Sequence, residues 1–292
     1  MGYKSPEMQP LFEHGLTLGG FSTRVLELEG DGPPLVFFHG FSDSADTWRA
    51  TMAKLGRLDR RAVAVDLPGF GRSSPLKPGK VLPQLDRFGE AAIRYAAPDG
   101  GAIAVGNSLG GCLALRLAER EQLELAGVVP VAPAGLDMAR WLAIIERDPI
   151  VRTMLSSPVP LPEWALRRAV AEVYRRIVFH RPRSVDAKAI EAFTSHFSDP
   201  RTVARYLATG RSLLPELKDP FRLERIACPV LVVWGEKDAM VYPKGAARVL
   251  EAVPGARLEL LERCGHCPQI ECVDRFTELL VDFPPPAMAE AA

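Results

Sequence analysis

Apolar residues recur along this chain in two rhythms. Over residues 22–29 polar and apolar positions alternate, and Gly30-Asp-Gly-Pro-Pro34 then breaks the run. A period of two closed by Gly and Pro predicts an antiparallel strand entering a tight turn. After that turn the pattern changes to short continuous apolar runs at residues 35–38, 62–65, 102–105, 127–131 and 230–234, each bounded by Gly, Pro or Asp. Such runs suit parallel strands covered on both faces. A further strand-like segment spans residues 257–262, and helical patterns occupy 112–120 and 244–252. Strands alternating with helices predict the α/β class, a mostly parallel sheet wrapped by helices.

The alternation stops after Pro133-Ala-Gly135. Residues 137–222 are helix-like with Pro-marked breaks, and the strand rhythm resumes at Cys228-Pro-Val-Leu. This predicts one core built from residues 1–136 and 223–292, with a helical cap inserted at 137–222. The tail from Phe283 to Ala292 reads as a frayed end.

Composition narrows the function by exclusion. A chain of 292 residues, 47% hydrophobic, can bury one large core with a smaller appended unit. Lys+Arg and Asp+Glu are both 36, so nothing global points to nucleic acid or to an acidic membrane surface. Five irregularly spaced cysteines do not make a disulfide framework and fit a reducing compartment. The opening Met1-Gly-Tyr-Lys-Ser-Pro is not apolar, and no run is long enough to span a bilayer. The expectation is a cytoplasmic protein without stable membrane insertion, whose function resides in a local site.

The most specific local signal is Ala104-Val-Gly-Asn-Ser-Leu-Gly-Gly111, a G-x-S-x-G with an apolar strand before it and a helix after it. In that context Ser108 occupies a sharp strand-to-helix turn, and Gly106 and Gly110 leave no side chain to clash there. The helix start sets backbone N–H groups beside the charge that develops when a serine attacks a carbonyl. A serine is a weak nucleophile and needs a base. Of the five histidines only His39 and His266 follow sheet strands directly. His14 is expected to precede the fold, and His180 and His196 fall in the insertion. His266 sits in Cys264-Gly-His-Cys267, which taken alone could also be a redox centre or part of a metal site.

At these residues the chain resembles the α/β-hydrolases, over about residues 16 to 283. The resemblance implies a triad in chain order Ser108, Asp238, His266, with Asp137 the second candidate for the acid. His39 and Gly40 match the family's His-Gly turn, and the backbone N–H groups of Phe41 and Leu109 are implied as the oxyanion hole. Gly106, Asn107 and Gly110 shape the elbow, and Asp66-Leu-Pro-Gly-Phe-Gly-Arg-Ser73 matches a loop that marks the fold. The serine argues against the branches with an aspartate nucleophile. On this reading Cys264-Gly-His-Cys267 is the loop of the catalytic histidine. No metal is expected, because Cys264, His266 and Cys267 are too close together and no second ligand pair has the usual spacing.

The insertion matches the family's cap, with Trp141, Ile145, Met154 and Trp164 offered as pocket lining beside Cys267. Leu142, Leu155, Phe193, Phe197 and Tyr206 are further apolar candidates. The cap carries fifteen Lys and Arg against ten Asp and Glu, most simply a solvated basic face. The expected activity is hydrolysis of a carboxylic ester of a small to medium, partly apolar substrate, without cofactor, by a monomer or homodimer. Two alternatives stand beside it. Gly-Asn-Ser-Leu-Gly-Gly and Cys264-Gly-His266 also resemble the meta-cleavage-product hydrolases, which break carbon–carbon bonds, although Phe41-Ser-Asp-Ser44 and Cys267 depart from their pattern. Other proteins of this fold bind ligands with little turnover.

Overall fold

In a computed structural model, which describes residues 9–138, 147–149, 151–152, 162–183, 185, 187, 190, 194, 197 and 199–283, the alternating N-terminal stretch is half of a hairpin. Strand β1 (Leu11–Leu18) pairs antiparallel with β2 (Phe21–Leu28), in register from Leu11↔Leu28 to Leu18↔Phe21. The fold therefore begins before residue 16, and His14 does not precede it. That histidine lies within β1, its Nε2 2.9 Å from Glu27 Oε2 on the partner strand. As an edge strand with half of its residues exposed, β1 has little apolar periodicity to reveal it.

The remaining strands are β3 (Asp31–Phe38), β4 (Arg60–Val65), β5 (Ile103–Asn107), β6 (Gly127–Val131), β7 (Leu231–Gly235) and β8 (Arg257–Leu261). They form one eight-stranded sheet in the order β1-β2-β4-β3-β5-β6-β7-β8, antiparallel across β1, β2 and β4 and parallel from β4 onward. Continuous apolar runs are needed because each face is covered. On β3, Val36 and Phe38 enter the core on one face while Leu35 and Phe37 enter the core on the other, as a two-residue period requires. The first face is packed by α2 (Leu82–Ala96) and α3 (Leu109–Ala118), through Leu85, Phe88, Leu113 and Leu117. Against the second lie α1 (Arg49–Leu55) and, near the C-terminus, residues Val273–Val281, which bring in Met52, Leu55, Phe276 and Leu280. Trp48 joins these layers, its ring centre 4.8 Å from Phe37 and 6.0 Å from Phe276.

Between β6 and β7 the chain leaves the sheet, and the described part of this insertion is helical. It contains α4 (Glu163–Val178) and α5 (Pro200–Leu213). Asp199 caps α5, its carboxylate accepting the N–H of Arg201 at 2.7 Å and of Thr202 at 3.1 Å, with Pro200 in the first turn. After β7 come α6 (Ala246–Ala252), the short α7 (Pro268–Glu271) and α8, the Val273–Val281 helix.

Strand order reverses direction at β3, whose neighbours are β4 on one side and β5 on the other. The carboxyl ends of β3 and β5 therefore open a crevice between diverging connections, the place where ligands bind in open α/β sheets. Gly40 and Ser108 stand at those two ends.

Candidate active site

At the end of β5 the backbone turns so tightly that only glycine fits around Ser108. A Cβ on Gly106 would stand 2.1 Å from the Gly110 carbonyl oxygen, and one on Gly110 would stand 2.1 Å from that of Phe38. Ser108 itself has φ 54° and ψ −111°, a conformation that costs a non-glycine residue about 1–3 kcal/mol and persists only where the surroundings enforce it. Here they do: its N–H donates to Val131 O at 2.9 Å, and its carbonyl accepts from Cys112 N and Ala134 N at 2.9 and 3.0 Å. Leu109 opens α3, so its N–H belongs to a first turn that lacks intrahelical acceptors.

His266 and Asp238 arrive from the two strands beyond. The loops after β7 and β8 touch closely enough that a Cβ on Gly235 would lie 1.9 Å from Gly265 O. His266 Nδ1 is 2.7 Å from Asp238 Oδ2, and both residues are buried. Oδ2 also accepts the Trp234 indole N–H at 3.1 Å, while Oδ1 accepts Met240 N–H and Val241 N–H at 2.8 and 3.1 Å. A carboxylate receiving four donors is fixed in orientation, and since it can only accept, Nδ1 carries the proton and Nε2 is left as the basic nitrogen. Nε2 is buried and has no hydrogen-bond partner among the described residues. Asp137 is not brought to this histidine; it pairs with Lys244 at 3.0 Å.

The histidine loop is tied on two sides. Asn107, beside the elbow serine, donates from Nδ2 to His266 O at 3.0 Å, and His266 N–H donates to Val178 O, at the end of α4, at 2.9 Å. Glu271 adds a second tie to the insertion. Its Oε1 accepts Gly265 N–H at 2.8 Å, and its Oε2 accepts the N–H groups of His180 and Arg181 at 2.9 and 3.3 Å. Burial raises the Glu271 carboxyl above its ordinary range, against the opposing pull of these N–H donors.

His39 is as buried as His266, yet both of its ring nitrogens are used. Nδ1 donates to Gly40 O at 2.7 Å and Nε2 accepts Leu67 N–H at 2.8 Å. Burial pushes its pKa down to about 4, the Asp66 charge opposing. Below it Asp66 anchors three segments, accepting Arg24 Nε at 3.0 Å, Ala45 N–H at 2.7 Å and Arg72 N–H at 2.8 Å. A Cβ on Gly71 would strike this carboxylate, which explains that glycine in the Asp66 to Ser73 loop.

One cavity joins these parts. Gly40, Phe41, Asn107, Ser108, His266 and Cys267 line it from the sheet side, and Val170, Tyr174, Val178, Phe197, Tyr206 and Leu207 from the insertion. Of the pocket residues expected from sequence, Cys267, Phe197 and Tyr206 are in the wall. Trp164 is not: it stands on the first turn of α4, 70% exposed, on the side of the helix away from the apolar stripe. Trp141, Ile145 and Met154 lie outside the described residues, as do Leu142, Leu155 and Phe193. Ala169, Val170, Val173, Tyr174, Ile177 and Val178 supply the wall in their place, and their spacing of three, four and one is a helical stripe legible in the sequence. Size and aromaticity drew attention to Trp164; periodicity would have passed over it. Cys264 packs in the core below the sheet beside Cys272, away from Cys267, whose Sγ is 3.7 Å from Asn107 Oδ1 in the cavity wall.

Ser108 at its strained elbow and the Asp238-held imidazole of His266 thus line one cavity of this α/β fold. The chain belongs to the alpha/beta hydrolase family, whose family model matches residues 35–279. It is 26% identical over 268 residues to a pimeloyl-[acyl-carrier protein] methyl ester esterase of Nitrosospira multiformis, spanning 88% of this chain and 97% of that protein. It is 24% identical over 284 residues to a 2-hydroxy-6-oxo-6-(2'-aminophenyl)hexa-2,4-dienoic acid hydrolase of Metapseudomonas resinovorans, spanning 93% and 90%. Among solved structures, a serine hydrolase involved in carbazole degradation superposes with a TM-score of 0.75 at 24% identity, covering 94% of this chain and 98% of that one. No helix among the described residues is long and apolar enough to cross a membrane.

Proposed function

We propose that this hydrolase cleaves carboxylic esters of small to medium, partly apolar substrates through an acyl-enzyme, with Ser108 as nucleophile, His266 as base and Asp238 as the acid that orients it. The observation carrying this reading is the buried Nε2 of His266, without a hydrogen-bond partner among the described residues, in one cavity with Ser108, on an imidazole whose Nδ1–H is held by Asp238 at 2.7 Å. In the reaction Nε2 takes the Ser108 proton as Oγ adds to the ester carbonyl. The resulting oxyanion is met by the N–H groups of Phe41 and Leu109, and the tetrahedral adduct expels the alcohol, which receives the proton from His266. Water then attacks the acyl-enzyme, His266 again serving as base and Ser108 leaving with its proton restored. The hydrogen bond from Ser108 to Nε2 is one that commonly closes only in the substrate complex.

Residues 137–222 serve as the cap, and its apolar side chains hold the acyl or alcohol part away from water. The lining also favours esters over the carbon–carbon cleavage of ring-fission products. Those substrates carry a carboxylate, and among the described lining residues there is no Lys or Arg to receive it. The test is a p-nitrophenyl ester series from acetyl to long acyl chains, run beside Ser108→Ala and one ring-fission dienoate. Ester turnover that disappears in the variant supports the proposal. Turnover of the dienoate alone would replace it with the carbon–carbon reaction, and silence on both would point to a ligand-binding role.

A further inference from the structure

The polar side chains around the cavity differ in how much hydrogen-bonding capacity they retain. Asn107 uses Nδ2 on His266 O and meets Cys267 Sγ through Oδ1. The Ser42 and Tyr174 hydroxyls contact each other, and Tyr174 also donates to Ser42 O at 3.2 Å. Tyr206 is engaged by Arg205, which lies over its ring 5.5 Å from the centre. Asp43 is different. It lines the same cavity at 1% exposure, and its Oδ1 accepts the Ser44 N–H at 2.7 Å, but its Oδ2 is buried without a hydrogen bond of ordinary geometry among the described residues, although the Thr47 hydroxyl lies close enough to bear on the carboxyl's charge.

An ionised carboxylate in that position needs a cation. The nearby guanidinium of Arg24 is committed to Asp46 and Asp66, and that of Arg49 to Asp46 and Glu13. Burial accordingly raises the Asp43 carboxyl well above the ordinary range; the Ser44 N–H and the Thr47 hydroxyl oppose the rise, and the Asp46 and Asp66 charges add to it. With Oδ1 occupied as an acceptor, the proton of the neutral acid sits on Oδ2, which becomes a donor in the wall of a mostly apolar cavity.

We propose that Asp43 determines specificity: its Oδ2 hydroxyl donates a hydrogen bond to a neutral oxygen, keto, ether or second ester, carried by the apolar substrate. This rests on the ester-hydrolase reading and names its substrate class more closely. A plain hydrocarbon chain leaves the buried O–H unpaired, which works against binding. A substrate carboxylate would be desolvated with no cation among the described lining residues, a cost that one hydrogen bond does not return.

Binding can be read without turnover on Ser108→Ala protein, by calorimetric titration with methyl pentanoate, methyl 4-oxopentanoate and monomethyl succinate, repeated with Asp43→Asn and Asp43→Leu added. The expected result is that the keto ester binds about tenfold tighter than the plain ester, the size of one added neutral hydrogen bond, with the succinate weakest. Asn, an uncharged donor of similar shape, keeps most of that ratio, and Leu brings it to about one, the size of the lost hydrogen bond. Equal binding of plain and keto esters, a ratio that survives Leu, a ratio lost in Asn, or succinate binding tightest would each overturn the proposal. Should the Leu variant not fold, the Ser108→Ala and Asp43→Asn ratios still decide it. Because the titration needs no nucleophile, its failure is separate from the failure of ester hydrolysis, which turnover by the unmodified enzyme reports.

Discussion

The loops after β3 and β8 each present a buried histidine to the same end of the sheet, and they differ in what surrounds the ring. Around His39 both nitrogens are engaged by backbone groups of Gly40 and Leu67. Around His266, among the described residues, only Nδ1 is engaged, by Asp238, and Nε2 has no partner. Both rings are buried, so burial does not separate His39 from the proposed base His266. Unused hydrogen-bonding capacity in a water-poor site does, because such a group gains most from the substrate that completes it. The same test, applied to the cavity wall, singled out Asp43.

The comparison can be broken most decisively by substitution. His266→Ala should lower kcat for an ester substrate by roughly four or more orders of magnitude, and Ser108→Ala likewise, with the fold retained by circular dichroism. An active His266→Ala protein would make the two histidines equivalent. His39→Ala should act on stability: it opens a cavity and leaves the Leu67 N–H and Gly40 carbonyl without their partner, for about 3–5 kcal/mol in denaturant unfolding. A loss under about 1 kcal/mol would mean that His39 does not hold the turn.

Acid should act on His39 more gently. In the unfolded chain His39 takes up a proton near its ordinary 6.5, whereas the folded protein refuses it until about 4. Stability therefore falls as pH drops from about 6.5 to about 4, by on the order of 3 kcal/mol for this residue, and the loss stops below that. NMR of the His39 imidazole resonances checks it directly: His39 should remain neutral at pH 5, and protonation there would rule out the depressed value. The smallest effect expected is that of Trp234→Phe, which takes away one of four donors to Asp238. A several-fold fall in kcat with unchanged KM, about 1 kcal/mol, is expected from steady-state kinetics; no change would show that the remaining three donors suffice.

Much of this site was legible in the sequence because backbone geometry demanded particular residues at particular spacings. Gly106 and Gly110 could be read as required, since any Cβ there collides with carbonyl oxygens across the turn. Asp238 and His266 were implied by the resemblance to the α/β-hydrolases, each falling after a strand, and the structure brings them within 2.7 Å of each other. What escaped was set by tertiary context. β1 lies on the sheet edge, and its apolar residues Leu11, Phe12, Leu16 and Leu18 do not alternate along the whole strand, so its pattern carried little signal. Trp164 was chosen for its bulk, but its place on α4 turns it to solvent, and Tyr174 was passed over although it shares the helical stripe that faces the cavity. Asp43 could not be read at all from spacing: its interest comes from the absence of a partner in space.

The insertion between β6 and β7 bears on how the molecule assembles. Pairing of Val131 with Val233, reinforced by the bridge from Val128 to Val230, closes a loop of roughly 100 residues, for which the entropic cost grows only with the logarithm of length. Lengthening or exchanging the cap is therefore cheap at equilibrium. It is not neutral for the route: Ser108 is set by contacts formed early in the sequence, whereas Asp238 and His266 reach it only after this late, non-local pairing. Hydrolytic competence should consequently be among the last properties to return on refolding, trailing the recovery of helical signal from the N-terminal half.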